Sequence, residues 1–211
     1  DPATLIGRQI TVRGLDALKA AMKGGRGAVI ATAHFGNPEI ALQVASLLGL
    51  DVLILAEPLR PPAFDDLMRH LRQANGLRYQ DVGTRAIGEA LAHLKAGGCV
   101  PLACDRDIQG RGVPLQFFGA EVSAPLGAVE LAARTGALVV PAYCKRRRGG
   151  FDLVFEEPLP LVDTGEPKTD ARLNAQALLE RIEPWIRSDP GQWFVLERIW
   201  KPRPGPRPAR P

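Results

Sequence analysis

In the run Ala33-His-Phe-Gly-Asn-Pro-Glu39 a histidine precedes a glutamate by five residues. An imidazole with a carboxylate near it is a general base with a candidate orienter, and histidine titrates closer to neutrality than any other base. Glu39 has two readings. It is either a first-turn carboxylate that complements the positive end of a helix dipole, or a group that turns back to bind the His34 ring. His34 stands just past an apolar run, where strands of an open α/β sheet deliver ligand-binding groups. Two further loops carry polar chemistry after apolar runs, one with Glu57 and Arg60, the other with Asp105, Arg106 and Asp107. Each has a bland alternative, an internal pair in the first and a surface turn in the second. Three such loops on one rim favour a site.

The elements that would position these groups follow from pattern. Gly27 to Ala33 is a short apolar run suited to a buried parallel strand. Asn37 is a preferred N-cap and Pro38 suits the first helical position, so a helix is expected from there to Leu48. Further strands are expected over Asp51–Ala56, Leu77–Val82, Cys99–Cys104, Ala137–Tyr143 and Phe151–Phe155, with helices over Ala63–Asn75, Thr84–Ala96, Ala124–Arg134 and Asp170–Ser188. Strands alternating with helices imply βαβ units. The fold class expected is therefore α/β, a single domain with a mainly parallel central sheet flanked by helices.

With 211 residues, 45% hydrophobic and 24% charged, the chain is sized for one substantial core. The domain expected is residues 1–200, followed by a basic, proline-rich, disordered tail over 201–211. Lys201, Arg203, Arg207 and Arg210 of that tail account for the whole net charge of +4, so the domain itself is neutral and no nucleic-acid partner is implied. The tail's charge would suit a phosphate-rich membrane surface, although a plain solubilising end fits equally. No stretch approaches the ~18 apolar residues of a membrane span. The chain starts at Asp1 rather than methionine, so trimming ahead of it is expected. Cys99, Cys104 and Cys144 are odd in number and lack Cys-x-x-Cys spacing, which reads as buried free thiols rather than metal ligands. His70 and His93 fall within helical patterns.

The ordered motifs resemble the lysophospholipid acyltransferase superfamily, in the branch of lipid A late acyltransferases and phosphatidylinositol mannoside acyltransferases. The resemblance runs from about Val12 to Trp200. It rests on the lead-in Val12-Arg-Gly-Leu-Asp-Ala-Leu18, the His-x4-Glu element at His34, the block Ala56-Glu-Pro-Leu-Arg-Pro61, Asp105-Arg-Asp107, Gly112-Val-Pro-Leu-Gln-Phe-Phe-Gly119 and Arg134-Thr-Gly-Ala-Leu-Val-Val-Pro141. Two departures stand out. Pro38 occupies a position where these enzymes commonly carry a tryptophan, and the hydrophobic anchor usual ahead of the signature is expected to have been lost with the trimmed start.

The resemblance implies an O-acyltransferase that needs no cofactor and no metal. Its acyl donor is a thioester, acyl-CoA or acyl-carrier protein, and its acceptor is a hydroxyl of a membrane glycolipid or lysophospholipid. It implies a peripheral enzyme at the cytoplasmic face of the inner or plasma membrane, in contact with the membrane surface. His34 would take the acceptor's proton while Glu39 holds the ring tautomer. Asn37, Glu57, Arg60, Arg72, Asp105 and Arg106 would contact substrates, and Phe117 and Phe118 would line the acyl path. Backbone amides at the Asn37 helix start, or an arginine, are the candidate oxyanion donors. A thioesterase-like hydrolase, with water in place of the acceptor, and a non-catalytic lipid-binding module are the competing readings.

Overall fold

In β2 (Ala28–Thr32), side chains alternate across the pleat so completely that the strand serves two cores at once. Val29, Ala31 and, just beyond the strand, Ala33 enter the cluster built on Val100, Val139 and the helix residues Leu94, Ala132, Leu178 and Ile182. Ala28 and Ile30 face a second cluster with Leu18, Val44, Ala45, Val140 and Cys144. A strand buried on both faces must be apolar throughout, which is why the Gly27–Ala33 run carries no charge. The computed structural model describes Thr4, residues 6–74 and residues 77–200. The tail expected to be disordered, 201–211, lies outside the described residues.

Along the chain come β1 (Ile10–Arg13), α1 (Leu15–Ala21), β2, α2 (Pro38–Leu47), β3 (Leu53–Ala56), α3 (Pro62–Ala74), β4 (Arg78–Asp81), α4 (Thr84–Lys95) and β5 (Cys99–Ala103). There follow β6 (Val113–Phe117), β7 (Ala120–Ala124), α5 (Gly127–Thr135), β8 (Leu138–Arg147), β9 (Gly150–Phe155) and α6 (Pro167–Ser188), then a short 3-10 turn, Pro190–Gln192. The central sheet runs β1-β9-β8-β2-β5. β2 is parallel to both β8 and β5, and β1 is parallel to β9, whereas β8 and β9 form an antiparallel hairpin. A parallel bridge from Val52 to Cys99 places the β3-β4 pair beside β5. The α/β class and mostly parallel sheet agree with the sequence reading.

Four elements escaped the pattern. β1 and α1 lie in the lead-in, and β6 and β7 form an antiparallel hairpin where no strands were expected. The hairpin moves the start of the next helix from Ala124 to Gly127. It packs against α6, with the Phe118 amide donating to Glu183 Oε1 at 2.6 Å.

Candidate active site

His34 is held by strand register. β2 and β5 pair with Ala28 opposite Cys99 and Thr32 opposite Ala103. Continued two residues past the strand ends, the same offset sets His34 opposite Asp105. The Asp105 carboxylate takes the His34 backbone N–H on Oδ2 at 2.9 Å, and Oδ1 lies 2.7 Å from the ring Nδ1. A third donor, the indole Nε1–H of Trp193, reaches Oδ2 at 2.8 Å. Asp105 is almost wholly buried, at 2% exposure. Burial favours the neutral acid, but the His34 ring, its charge, Trp193 and the His34 amide together hold the carboxyl below its ordinary value. An ionised Asp105 accepts from Nδ1–H and leaves the Nε2 lone pair of His34 open, the tautomer a general base needs. The ring is partly exposed.

The loop that carries His34 is fastened on both sides. Gly36 sits at φ 71°, and a Cβ there would stand 2.0 Å from the Cys144 carbonyl oxygen, so only glycine lets the chain pass β8. Asn37 N–H donates to that same carbonyl at 2.8 Å. On the other side the segment after the 3-10 turn lies antiparallel to the loop: Gly36 N–H donates to Gln192 O at 2.8 Å, and Phe194 N–H to His34 O at 2.7 Å. Gln192 in turn clasps both backbone groups of Arg146. This strap delivers Trp193, a site residue that sequence reasoning missed. Its link to Asp105 spans 88 positions with no periodic signal.

Glu39 departs from its expected role. The ring nitrogen that an orienting carboxylate must bind is taken by Asp105, and Glu39 instead meets Arg72, whose Nε lies 3.2 and 3.1 Å from its two oxygens and whose terminal nitrogen lies 2.8 Å from Oε2. The reason is local geometry. Glu39 is the second residue of α2 and projects sideways toward α3, whereas Asp105 stands across from His34 in register. Arg72 is thereby brought beside the site, as its partner.

Asn37 accepts from Ile40 N–H at 3.0 Å and is a helix cap. The amides of Gly36, Asn37 and Ile40 are engaged within the protein. Glu57 and Arg60 are exposed in the β3–α3 loop. Arg106 is turned to the strap, its guanidinium donating to Glu197 at 2.9 Å.

Phe117 and Phe118 do not line a path to His34. Phe117 is fully buried in the core of the opposite sheet face, and Phe118 stacks among Phe117, Trp193 and Trp200. The apolar space that does reach His34 lies on the other side, between the sheet and α2. It is a cavity of about 180 Å³ walled by Thr32, Ala103 and Tyr143 of the strands and by Pro38, Ala41 and Ala45 of α2. Pro38, the departure noted above, forms part of this wall. Cys99 and Cys144 also line it, and burial pushes both thiols up to about 12, so they stay protonated near neutrality. Among the described residues no helix is long and apolar enough to cross a membrane.

The chain has relatives among known proteins. Phosphatidylinositol mannoside acyltransferase of Mycobacterium tuberculosis is 30% identical over 194 residues, 90% of this chain and 59% of its own length. The protein of that name from Mycolicibacterium smegmatis is 30% identical over 92% of this chain and 64% of its own. Lipid A biosynthesis palmitoleoyltransferase of Escherichia coli is 27% identical over 96% of this chain and 65% of its own. The chain thus spans about three fifths of the length of these relatives. The family described as bacterial lipid A biosynthesis acyltransferase matches residues 2–202, and the chain belongs to that family.

Proposed function

We propose that this chain transfers a fatty acyl group from a thioester, acyl-CoA or acyl-carrier protein, to a hydroxyl of a membrane glycolipid, with His34 as general base. The observation that carries the reading is the buried Asp105 on His34 Nδ1 at the mouth of an apolar cavity. The names of the relatives support a glycolipid acceptor. The acceptor oxygen attacks the thioester carbonyl while its proton passes to His34 Nε2. Asp105 offsets the charge that forms on the ring, as the aspartate of a catalytic triad does. The tetrahedral oxyanion then collapses, the carbon–sulfur bond breaks, and the imidazolium returns the proton to the departing thiolate. No protein nucleophile is needed, because a thioester carbonyl is already electrophilic, and no cofactor takes part. Glu39 and Arg72 brace the first turn of α2 against α3 rather than orienting the base. The acyl chain lies in the cavity beside Pro38 and Ala41, and the enzyme works as a peripheral protein at the cytoplasmic face of the membrane.

The test is incubation with a labelled long-chain acyl-CoA and a panel of glycolipids, scoring ester product and free acid separately. Ester that His34→Ala abolishes is the expected result. Free acid as the sole product assigns a hydrolase, and undiminished ester in His34→Ala removes the base assignment.

A further inference from the structure

The helix α3 is built inside out. Asp65, Arg69 and Arg72, at i, i+4 and i+7, form the stripe that a surface helix normally fills with apolar residues. They face the protein: Asp65 holds the Leu59 amide and Arg69, Arg69 reaches Asp81, and Arg72 grips Glu39. Both guanidinium groups lie over the Tyr79 ring. The apolar stripe, at i, i+3 and i+7, points away. Phe64 is 47% and Leu67 53% exposed, and Leu71 on the same face is also exposed.

This helix stands at the carboxyl end of the sheet, where His34 is. Arg69 reaches the last residue of β4, and Arg72 reaches the first turn after β2. The same end presents other bare apolar groups. Ile108 follows β5 and is 49% exposed; Phe194 and Leu196 sit on the strap over His34, Leu196 being 97% exposed. Scattered single apolar residues are ordinary, but their gathering around one site is not.

Charge at this end points to the partner. Glu39, Asp81, Asp105 and Asp152 are each paired within the protein. The guanidinium groups of Arg60, Arg146 and Arg148 have no side-chain partner among the described residues, and all three are exposed. Among the described residues, Glu57, Asp66, Asp81 and Glu197 are exposed acids at this end, and the last two are paired with Arg69 and Arg106. Exposed aromatic and aliphatic chains next to unpaired arginines match an anionic bilayer, whose surface attracts basic residues at about 1 kcal/mol each and whose interface accepts apolar side chains.

We propose that the carboxyl end of the sheet docks on an anionic phospholipid surface, with Phe64 and Leu67 of α3 entering the interface and Arg146 and Arg148 meeting lipid phosphates. The docking deepens the reading of His34 as an acyl-transfer base, since it turns the base and the cavity mouth toward a lipid acceptor, but the surface stands on its own observations.

The test is co-sedimentation of the full chain with phosphatidylglycerol and phosphatidylcholine vesicles, alongside acyl transfer to a detergent-dispersed acceptor. Phosphatidylglycerol binding should exceed phosphatidylcholine binding. Phe64→Ser/Leu67→Ser should lower the partition coefficient at least tenfold, and Arg146→Ala/Arg148→Ala about 25-fold, at roughly fivefold per arginine. Both variants should keep their melting temperature and their detergent activity. Vesicle binding equal to wild type in both variants overturns the proposal. So does loss of self-association by light scattering in Phe64→Ser/Leu67→Ser with vesicle binding intact, which assigns the face to a second copy. The predicted binding pattern without any transfer in detergent upholds the surface and rejects the catalytic reading.

Discussion

Replacing Asp105 by asparagine separates the role of this carboxylate from that of Glu39. Asp105 accepts three hydrogen bonds, from the His34 amide, the His34 ring and the Trp193 indole. An asparagine offers one carbonyl oxygen and one amide nitrogen, so at least one of the three donors then faces an N–H group. If the oxygen stays on the amide and indole side, the NH2 group meets Nδ1 and selects the tautomer with the proton on Nε2, which is unable to act as base. The corresponding aspartate-to-asparagine change in a serine-protease triad costs about 10⁴-fold. The expected loss here is of the order of 10³–10⁴-fold in transfer rate, or about 4–5.5 kcal/mol of barrier. A buried donor left without an acceptor costs about 1–3 kcal/mol, which corresponds to a drop of several degrees in melting temperature for a domain of this size. The pH dependence has a defined sign. The Asp105 carboxyl is held below its ordinary value in the folded state, so its ionised form stabilises the fold above the ordinary carboxylate range. That stability fades as pH falls through the depressed folded value. The gap in melting temperature between wild type and Asp105→Asn should therefore be widest near neutrality and close on acidification. The assay is transfer of labelled acyl groups with a parallel melting series from pH 7 downward. A rate within tenfold of wild type, or a melting gap that does not narrow in acid, refutes the assignment.

Glu39→Gln should lower transfer much less than Asp105→Asn, because it disturbs Arg72 and the first turn of α2 rather than the ring; a larger loss than in Asp105→Asn would return the orienting role to Glu39. Trp193→Phe keeps an aromatic ring beside Phe117 and Trp200 but removes one donor to a buried carboxylate, worth about 1.5–3 kcal/mol. It should cost roughly tenfold or more in rate, and an unchanged rate would show that two donors suffice. Ala45→Phe projects a ring into the cavity beside α2, so turnover should shift toward shorter acyl donors. Each methylene shut out forfeits about 0.8 kcal/mol, close to fourfold, and an unchanged chain-length profile would move the acyl path elsewhere.

Much of the architecture was legible because it rests on short-range rules. The double-sided apolar run at Ala28–Thr32 can only be a buried strand, and Asn37-Pro38 can only begin a helix cleanly. The β6–β7 hairpin was harder to see, since Val113–Phe117 and Ala120–Ala124 alternate weakly and are joined by two residues, Phe118 and Gly119, both at positive φ. Phe117 and Phe118 were then assigned to an acyl path that the hairpin directs to the opposite sheet face.

The sequence by itself determined that a histidine stands at a strand end, that a capped helix follows it, and that an apolar α/β core surrounds both. These are properties of neighbours in the chain: pleat alternation, the cap, the rigid proline. Which carboxylate serves the histidine was decided only by tertiary structure. Glu39 is near in sequence but is turned away by its place on the helix. Asp105 is 71 positions distant, yet the parallel register of β2 and β5 sets it opposite the ring. Hydrogen bonds between strands fix that register, and no local pattern in either segment records it.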